Sequence, residues 1–351
     1  MIRVLIVDDS AIVRRTLTEQ LSQFPDIEVI GSAVDPYHAR DMIVQLQPDV
    51  ITLDIEMPRM DGLSFLAKLM KHYPMPVVVV SSLTPKNSEM AIRALELGAV
   101  DVICKPDSQF SASTLGRKIV LAVRAAAKSR PLLHLAVPPT GKSQGPATRE
   151  IRLRTTDKVL AIGASTGGTN AIETLLTALP PTVPGTVVVQ HMPEHFTAAL
   201  AQRLNTVCPM EVREAKDGDD IVTGVVLIAP GNHHMIVQRS GARYVARIKD
   251  GPAVHFQRPA VDVLFDSVAA HVGRNAVGVI LTGMGADGAR GLLAMREAGA
   301  RTLSQDEATS IVFGMPKEAI ALGAAEQIVP LPHMAGAIMR TFQEFEQQSA
   351  A

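Results

Sequence analysis

Residues 158–176, KVLAIGASTGGTNAIETLL, leave little freedom of fold. An apolar run, Val159–Ile162, stops at Gly163, presents Ser165, crosses Gly167 and Gly168, and becomes a pattern of helical period. A short apolar run bounded by glycine reads as a buried strand, and the period that follows reads as a helix. The turn between them must be tight. It presents a hydroxyl beside the free N–H groups of a helix start, which hold negative charge. Gly163-Ala164-Ser165-Thr166-Gly167 also fits G-x-S-x-G, the turn that exposes a nucleophilic serine between strand and helix. For a lone motif the plainer reading is a glycine-rich corner with an idle serine, so the rest of the chain has to decide.

At 351 residues the chain exceeds what one core ordinarily organises, and two domains are expected. A net charge of −1 with 47% apolar residues describes a soluble globular protein and gives no footing for a nucleic-acid partner. Two cysteines, Cys104 and Cys208, are too few for a disulfide framework or a zinc site and suit a reducing compartment. The opening MIRVLIVDDS is no signal peptide, and no run approaches the ~18–20 apolar residues of a membrane span. A cytoplasmic protein without membrane insertion is expected.

The first 125 residues alternate strand-like runs, Val4–Val7, Val29–Ala33, Val50–Leu53, Val77–Val80 and Val102–Cys104, with helical patterns such as Ala11–Ser22 and Gly62–His72. That rhythm predicts a doubly wound α/β domain. Ligands bind such sheets at the carboxyl ends of the strands. Here those ends carry Asp8 and Asp9, then Asp54, Ser81 and Lys105. Three carboxylates brought close together call for a cation, and oxygen-only ligands suit Mg²⁺, which also takes phosphate oxygens. A carboxylate beside Mg²⁺ and a lysine is a plausible phosphoryl acceptor.

VLIVDDS, TLDIEMPRMDG and CKP, spaced as here, resemble the receiver domain of two-component response regulators. The resemblance implies a flavodoxin-like five-stranded parallel sheet with Asp54 as the phosphorylated residue. It further implies Mg²⁺ held by Asp8, Asp9, Asp54 and the main-chain carbonyl of Glu56, with Ser81 and Lys105 as the switch residues. Threonine is commoner than serine at the hydroxyl position, and Ser81 keeps the hydroxyl. Residues 126–156 then hold four prolines, two glycines and six basic residues against one glutamate, the composition of a flexible linker.

From 157 to 345 the α/β rhythm resumes, with strands expected at Val159–Ile162, Thr186–Val189, Gly224–Ile228 and Ala276–Leu281. Helical patterns fall at Ala171–Leu179, Ala198–Asn205, Ala260–Ala270 and Arg290–Ala298, so a second doubly wound, mostly parallel sheet is expected. Ser165, His191 and Asp287 leave three of its strand ends. A serine hydroxyl needs a base, the base needs an acid to fix its tautomer, and glycine-rich turns can supply oxyanion donors. Each residue alone has a structural reading, a packed histidine or a turn aspartate; together they point to a hydrolytic triad. The order Ser…His…Asp departs from that of α/β-hydrolases, and GASTGGTN lacks the lysine of a Walker loop.

AIGASTGGT, VVVQHMP, APGNHHM, RPAVDVLFDS, ILTGMGADGARGL and QDEATSIVFGMP, in that order, resemble the catalytic domain of chemotaxis methylesterases. With the receiver ahead, the whole chain is similar to the CheB family. The resemblance implies Ser165 as nucleophile, His191 as base and then acid, Asp287 as the orienting residue, and the Met284 N–H as an oxyanion donor. It implies an esterase reaction without a cofactor. The substrates would be methyl-accepting chemoreceptors, demethylated at glutamate methyl esters and deamidated at certain glutamines, and the phosphodonor would be the histidine kinase CheA. A receiver-coupled esterase of a non-motility chemosensory pathway is the alternative.

Overall fold

The computed structural model describes residues 1–82, 84–105, 112–129 and 157–350. Its first half alternates β1 (Ile2–Val7), α1 (Ala11–Leu21), β2 (Ile27–Ala33), α2 (Pro36–Leu46) and β3 (Val50–Asp54). It continues with α3 (Gly62–His72), β4 (Val77–Ser81), α4 (Pro85–Glu96), β5 (Asp101–Cys104) and α5 (Ala112–Lys128). The strands form one sheet in the order β2-β1-β3-β4-β5, with every described pairing parallel. Helices cover both faces, so β3 and β4 are buried along their whole length. Asp35, Asp61 and Thr84 accept N–H groups in the first turns of α2, α3 and α4. Each such cap is worth ~1 kcal/mol and fixes where its helix starts. All five expected strands are present, with ends displaced by a residue or two.

Helix α5 reaches Lys128, inside the stretch 126–156 expected as a linker, and residues 130–156 of that stretch lie outside the described residues.

The second half opens with β6 (Val159–Ala164), α6 (Gly168–Ala178), β7 (Gly185–Gln190), α7 (Phe196–Val207), β8 (Glu211–Glu214) and β9 (Val225–Ile228). After β10 (His234–Ser240), β11 (Arg243–Lys249) and α8 (Val261–His271) come β12 (Ala276–Ile280), α9 (Ala289–Glu297) and β13 (Arg301–Gln305). The described chain ends with α10 (Met315–Ala321), β14 (Gln327–Val329) and α11 (Leu331–Ala350). A seven-stranded sheet runs β14-β13-β12-β6-β7-β9-β8 with parallel pairings, and β10 and β11 form a separate antiparallel hairpin. The four expected strands are its centre. β6 is buried throughout, and burying side chains such as Leu160 and Ile162 stabilises by roughly 1.5–3 kcal/mol each.

The halves pack on each other through α4 and α7. Ile92 and Leu95 belong to the same buried apolar cluster as Leu200 and Leu204. Beside it Arg203 of α7 pairs with Glu96 of α4, and it reaches Glu173 of α6 at 3.4 Å. Ile311, in the loop after β13, packs against the apolar cluster of the first half that contains Val120 and Val123.

Candidate functional site

The first sheet gathers Asp8, Asp9, Asp54, Ser81 and Lys105 at one edge, as the strand ends require. Asp8, Asp9 and Asp54 bring one carboxylate oxygen each to within 4.8 Å of one another. Lys105 Nζ stands 2.9 Å from Asp8 Oδ2 and 2.7 Å from Asp54 Oδ2. Burial drives Asp54 up to about 6; Lys105 pulls it down, and the charge of Asp8 adds to the rise. Burial works against the charge of Lys105, but its two carboxylate partners hold it above the ordinary lysine value. One ammonium does not neutralise this concentration of oxygen, and a cluster of hard oxygen donors is what Mg²⁺ takes. The residues present therefore fit a divalent cation. Glu56 donates its N–H to Asp54 Oδ1 at 3.3 Å, which sets its peptide beside the pocket. Ser81 is 1% exposed, and its Oγ has no hydrogen-bond partner among the described residues.

The second sheet places Ser165 after β6, His191 after β7 and Asp287 after β12, and those strands are neighbours in the order β12-β6-β7. Ser165 N donates to Thr282 O of the β12 loop, and His191 N donates to Ala164 O, each at 3.0 Å. The three turns are thus tied together by main-chain bonds. Gly167 caps α6 with φ +77°, a left-handed conformation that favours glycine, so the chain can turn sharply behind the serine.

His191 Nε2 meets Asp287 Oδ2 at 2.7 Å, with the imidazole 4% and the carboxylate 2% exposed. Asp287 also accepts the N–H groups of Val261 and Asp262 at 2.7 and 3.0 Å, so it sits on the first turn of α8. Burial opposes its charge. The imidazole and the two N–H groups outweigh that and hold Asp287 below the usual carboxylate range. An ionised Asp287 fixes the proton of His191 on Nε2 and leaves Nδ1 as the basic nitrogen. Nδ1 is buried and has no hydrogen-bond partner among the described residues, and the ring lines the same narrow cleft as Ser165. The acid–base arm is assembled while the serine–imidazole bond is open, which is common before substrate tightens a site. The nitrogens are used in the opposite sense to the chymotrypsin arrangement, a detail the sequence does not carry.

Met284 lies in the loop after β12. Gly283 donates to Val312 O at 3.0 Å, and its carbonyl accepts from Gly314 and Met315 at 3.0 and 2.8 Å, fixing the peptide ahead of Met284. Met284 does not line the cleft. Of the other histidines, His234 is a packed residue bonded to Pro252 O, and His233 pairs with exposed Asp250. His255 pairs with Asp262 at 3.1 Å, the residue of α8 whose N–H Asp287 accepts.

The far wall of the cleft comes from the first half of the chain, with Leu95, Asp101 and Val102 facing Ser165 and His191. Asp101 Oδ2 accepts the hydroxyl of Thr166 at 2.6 Å. Asp101 and Thr166 were missed in the sequence. Thr166 had the signal of adjacency to Ser165; Asp101 had none, because nothing local in a sequence says which faces of two domains will meet.

A carboxylate pocket with its lysine on one parallel sheet and a cleft holding serine, histidine and aspartate on another define a hydrolase coupled to a receiver-type module. The model of the CheB methylesterase family matches residues 160–338, and that of the response regulator receiver domain matches residues 4–113. Over 342 residues the chain is 56% identical to protein-glutamate methylesterase/protein-glutamine glutaminase 2 of Syntrophus aciditrophicus (strain SB), covering 97% of this chain and 98% of that one. It is 51% identical over 346 residues to the protein of the same function name from Bdellovibrio bacteriovorus, covering 97% and 98%. The crystal structure of the Thermotoga maritima CheB methylesterase catalytic domain superimposes with a TM-score of 0.51 at 35% identity, covering 52% of this chain and 97% of that one. This chain belongs to the CheB methylesterase family.

Proposed function

We propose that this chain is a serine esterase that demethylates glutamate methyl esters, and deamidates certain glutamines, on methyl-accepting chemoreceptors, and that phosphorylation of Asp54 releases it from inhibition. The observation that carries the reading is the buried His191–Asp287 pair at the strand end next to Ser165, in a chain whose relatives are named for this reaction.

Ser165 Oγ attacks the ester carbonyl while its proton passes to His191 Nδ1; Asp287 stays ionised and stabilises the imidazolium through Nε2. The tetrahedral oxyanion would draw on N–H donors of the glycine-rich turns, with the Met284 N–H as the donor that the resemblance implies. His191 returns the proton to the departing methoxide, giving methanol and an acyl-serine. Water, deprotonated by the same nitrogen, cleaves the acyl-serine to glutamate. A primary amide follows the same path with ammonia leaving.

In the N-terminal module Asp54 accepts the phosphoryl group, with the histidine kinase CheA as donor. Asp8, Asp9, Asp54 and the Glu56 carbonyl would hold Mg²⁺, whose charge offsets that of the transferred phosphoryl group. Lys105 pairs with the carboxylates, and the hydroxyl of Ser81, without a partner among the described residues, would donate to a phosphoryl oxygen. Shifting Ser81 and the start of α4 would loosen α4 from α7, which favours the open population. Residues 1–125 would act as the receiver, 126–156 as the connection and 157–345 as the catalytic domain, in the cytoplasm. No described helix is long and apolar enough to cross a membrane.

The test is covalent. A fluorophosphonate, which loses fluoride to an activated serine oxygen, should label Ser165, and mapping should find the adduct there. Labelling that persists unchanged in Ser165→Ala contradicts the assignment.

A further inference from the structure

Gln190 directly precedes His191 and lies under the cleft, 3% exposed. It closes β7, and Ala164 opposite Gln190 is the last paired rung between β6 and β7. Past that rung the strands part. His191 N still reaches back to Ala164 O, but Ser165 N turns away to Thr282 O on the β12 side. The Gln190 carboxamide fills the gap, with Nε2 donating to Ser165 O at 2.8 Å and to His191 O at 3.2 Å. A side chain thus makes the next rung of the ladder.

Two further observations separate this from an ordinary packed glutamine. Gln190 Oε1 is buried and without a partner among the described residues. A buried acceptor left unpaired lowers stability, and an apolar residue of similar length would fill the volume without that penalty. The amide also occupies space that only glycine leaves: a Cβ on Gly168 would stand 2.1 Å from Gln190 Oε1. Gly168 opens α6, so the amide is wedged between the two carbonyls and the helix that follows Ser165.

We infer that Gln190 is a positioning residue, whose carboxamide holds the main chains of Ser165 and His191 in register so that hydroxyl and imidazole meet when substrate docks. The inference rests on the esterase reading above. Its physical need is plain: the Ser165–His191 bond is open in this structure, so it has to form during the reaction. A misplacement of about 1 Å costs on the order of 10²-fold in rate.

The experiment uses the full chain as wild type, Gln190→Met, Gln190→Glu and Ser165→Ala. Methionine matches the length and lacks both the donors and the unpaired acceptor; glutamate keeps the shape but turns oxygen toward the two carbonyls. Methanol release from methylated receptor membranes gives kcat and KM, and the rate of fluorophosphonate labelling reads Ser165 without a receptor. Gln190→Met loses the donor to the His191 carbonyl but also the unpaired acceptor, so it should lower the melting temperature by a few degrees at most and keep KM, while kcat and labelling fall on the order of 10²-fold. Gln190→Glu should fall at least as far at neutral pH. Relative to wild type it should recover in part as the pH is lowered, when its protonated carboxyl regains one donor. If Gln190→Met does not fold, the pH recovery of Gln190→Glu decides, and its absence overturns the inference. Wild-type kcat and labelling in a folded Gln190→Met also overturns it, with the esterase reading left standing. A wild type that neither releases methanol nor is labelled overturns both.

Discussion

Thr166 Oγ1 donates to Asp101 Oδ2 across 2.6 Å, which joins the residue after Ser165 to the first residue of β5 in the other sheet. The bond lies at the cleft that Ser165 and His191 line. β5 and the end of α4 line that cleft beside Ser165, which is 9% exposed, so on the proposed reading access for a substrate side chain depends on contacts of the N-terminal module.

Asp101→Ala removes the acceptor of that bond. A hydrogen bond contributes roughly 0.5–1.5 kcal/mol net, so the closed population should weaken and basal esterase activity rise severalfold. Methanol release measured without phosphodonor checks this. A fall in basal activity would speak against closure through Asp101.

The same contact sets a pH dependence. Burial holds the Asp101 carboxyl above its ordinary value, against the downward pull of Thr166, the Val102 N–H, His191 and Lys118. A raised carboxyl favours the protonated form, so closing takes up a proton relative to the open state. Closure is then fully supported below the ordinary aspartate value and weakens as pH rises through the raised one. The ratio of wild-type to Asp101→Ala basal activity should therefore climb with pH. A ratio that falls with pH reverses the sign and contradicts the account.

Asp287→Asn should lower kcat by ~10⁴-fold, because an amide cannot fix the Nε2–H tautomer or stabilise the imidazolium. Its effect on stability should be about 1–3 kcal/mol, since the two N–H groups of the first turn of α8 bond to different carboxylate oxygens and the amide oxygen can accept only one of them. Kinetics beside a thermal melt separate the two. An activity loss no larger than the melt explains would remove Asp287 from the mechanism.

Asp54→Asn should leave basal methanol release intact and abolish its rise with phosphodonor. In metal-free buffer, Mg²⁺ should raise the melting temperature of the wild type, by neutralising three crowded carboxylates, and do so much less in an Asp8→Asn/Asp9→Asn variant. Equal Mg²⁺ stabilisation of both proteins would place the cation elsewhere.

How far the sequence could be read follows from what its residues do locally. The central strands β6, β7, β9 and β12 are apolar and flanked by glycine or polar residues, so pattern alone finds them, and with them the strand ends that carry Ser165, His191 and Asp287. β13, RTLSQ, escaped because its buried residues Thr302, Ser304 and Gln305 are polar. They are tolerated inside because Thr302 donates to Ala324 O at 2.6 Å and Gln305 donates to Thr309 O at 2.8 Å. Hydrogen bonding there stands in for hydrophobicity, and periodicity is blind to it. β10 and β11 escaped for another reason: β10 ends in exposed Gln238, Arg239 and Ser240, β11 carries Arg243, Arg247 and Lys249, and a hairpin beside a parallel sheet breaks the α/β rhythm. The choice of Nε2 for Asp287, the amide rung of Gln190 and the Asp101 contact are three-dimensional facts with no local pattern behind them.

The central claim is phosphorylation-controlled hydrolysis at Ser165. Its most direct measurement is methanol release from methylated receptor membranes, for wild type and Ser165→Ala, each with and without a small phosphodonor and Mg²⁺. The account predicts release by the wild type that rises with phosphodonor, and none by Ser165→Ala under either condition. No release by the wild type in both conditions, or equal release by Ser165→Ala, would contradict it.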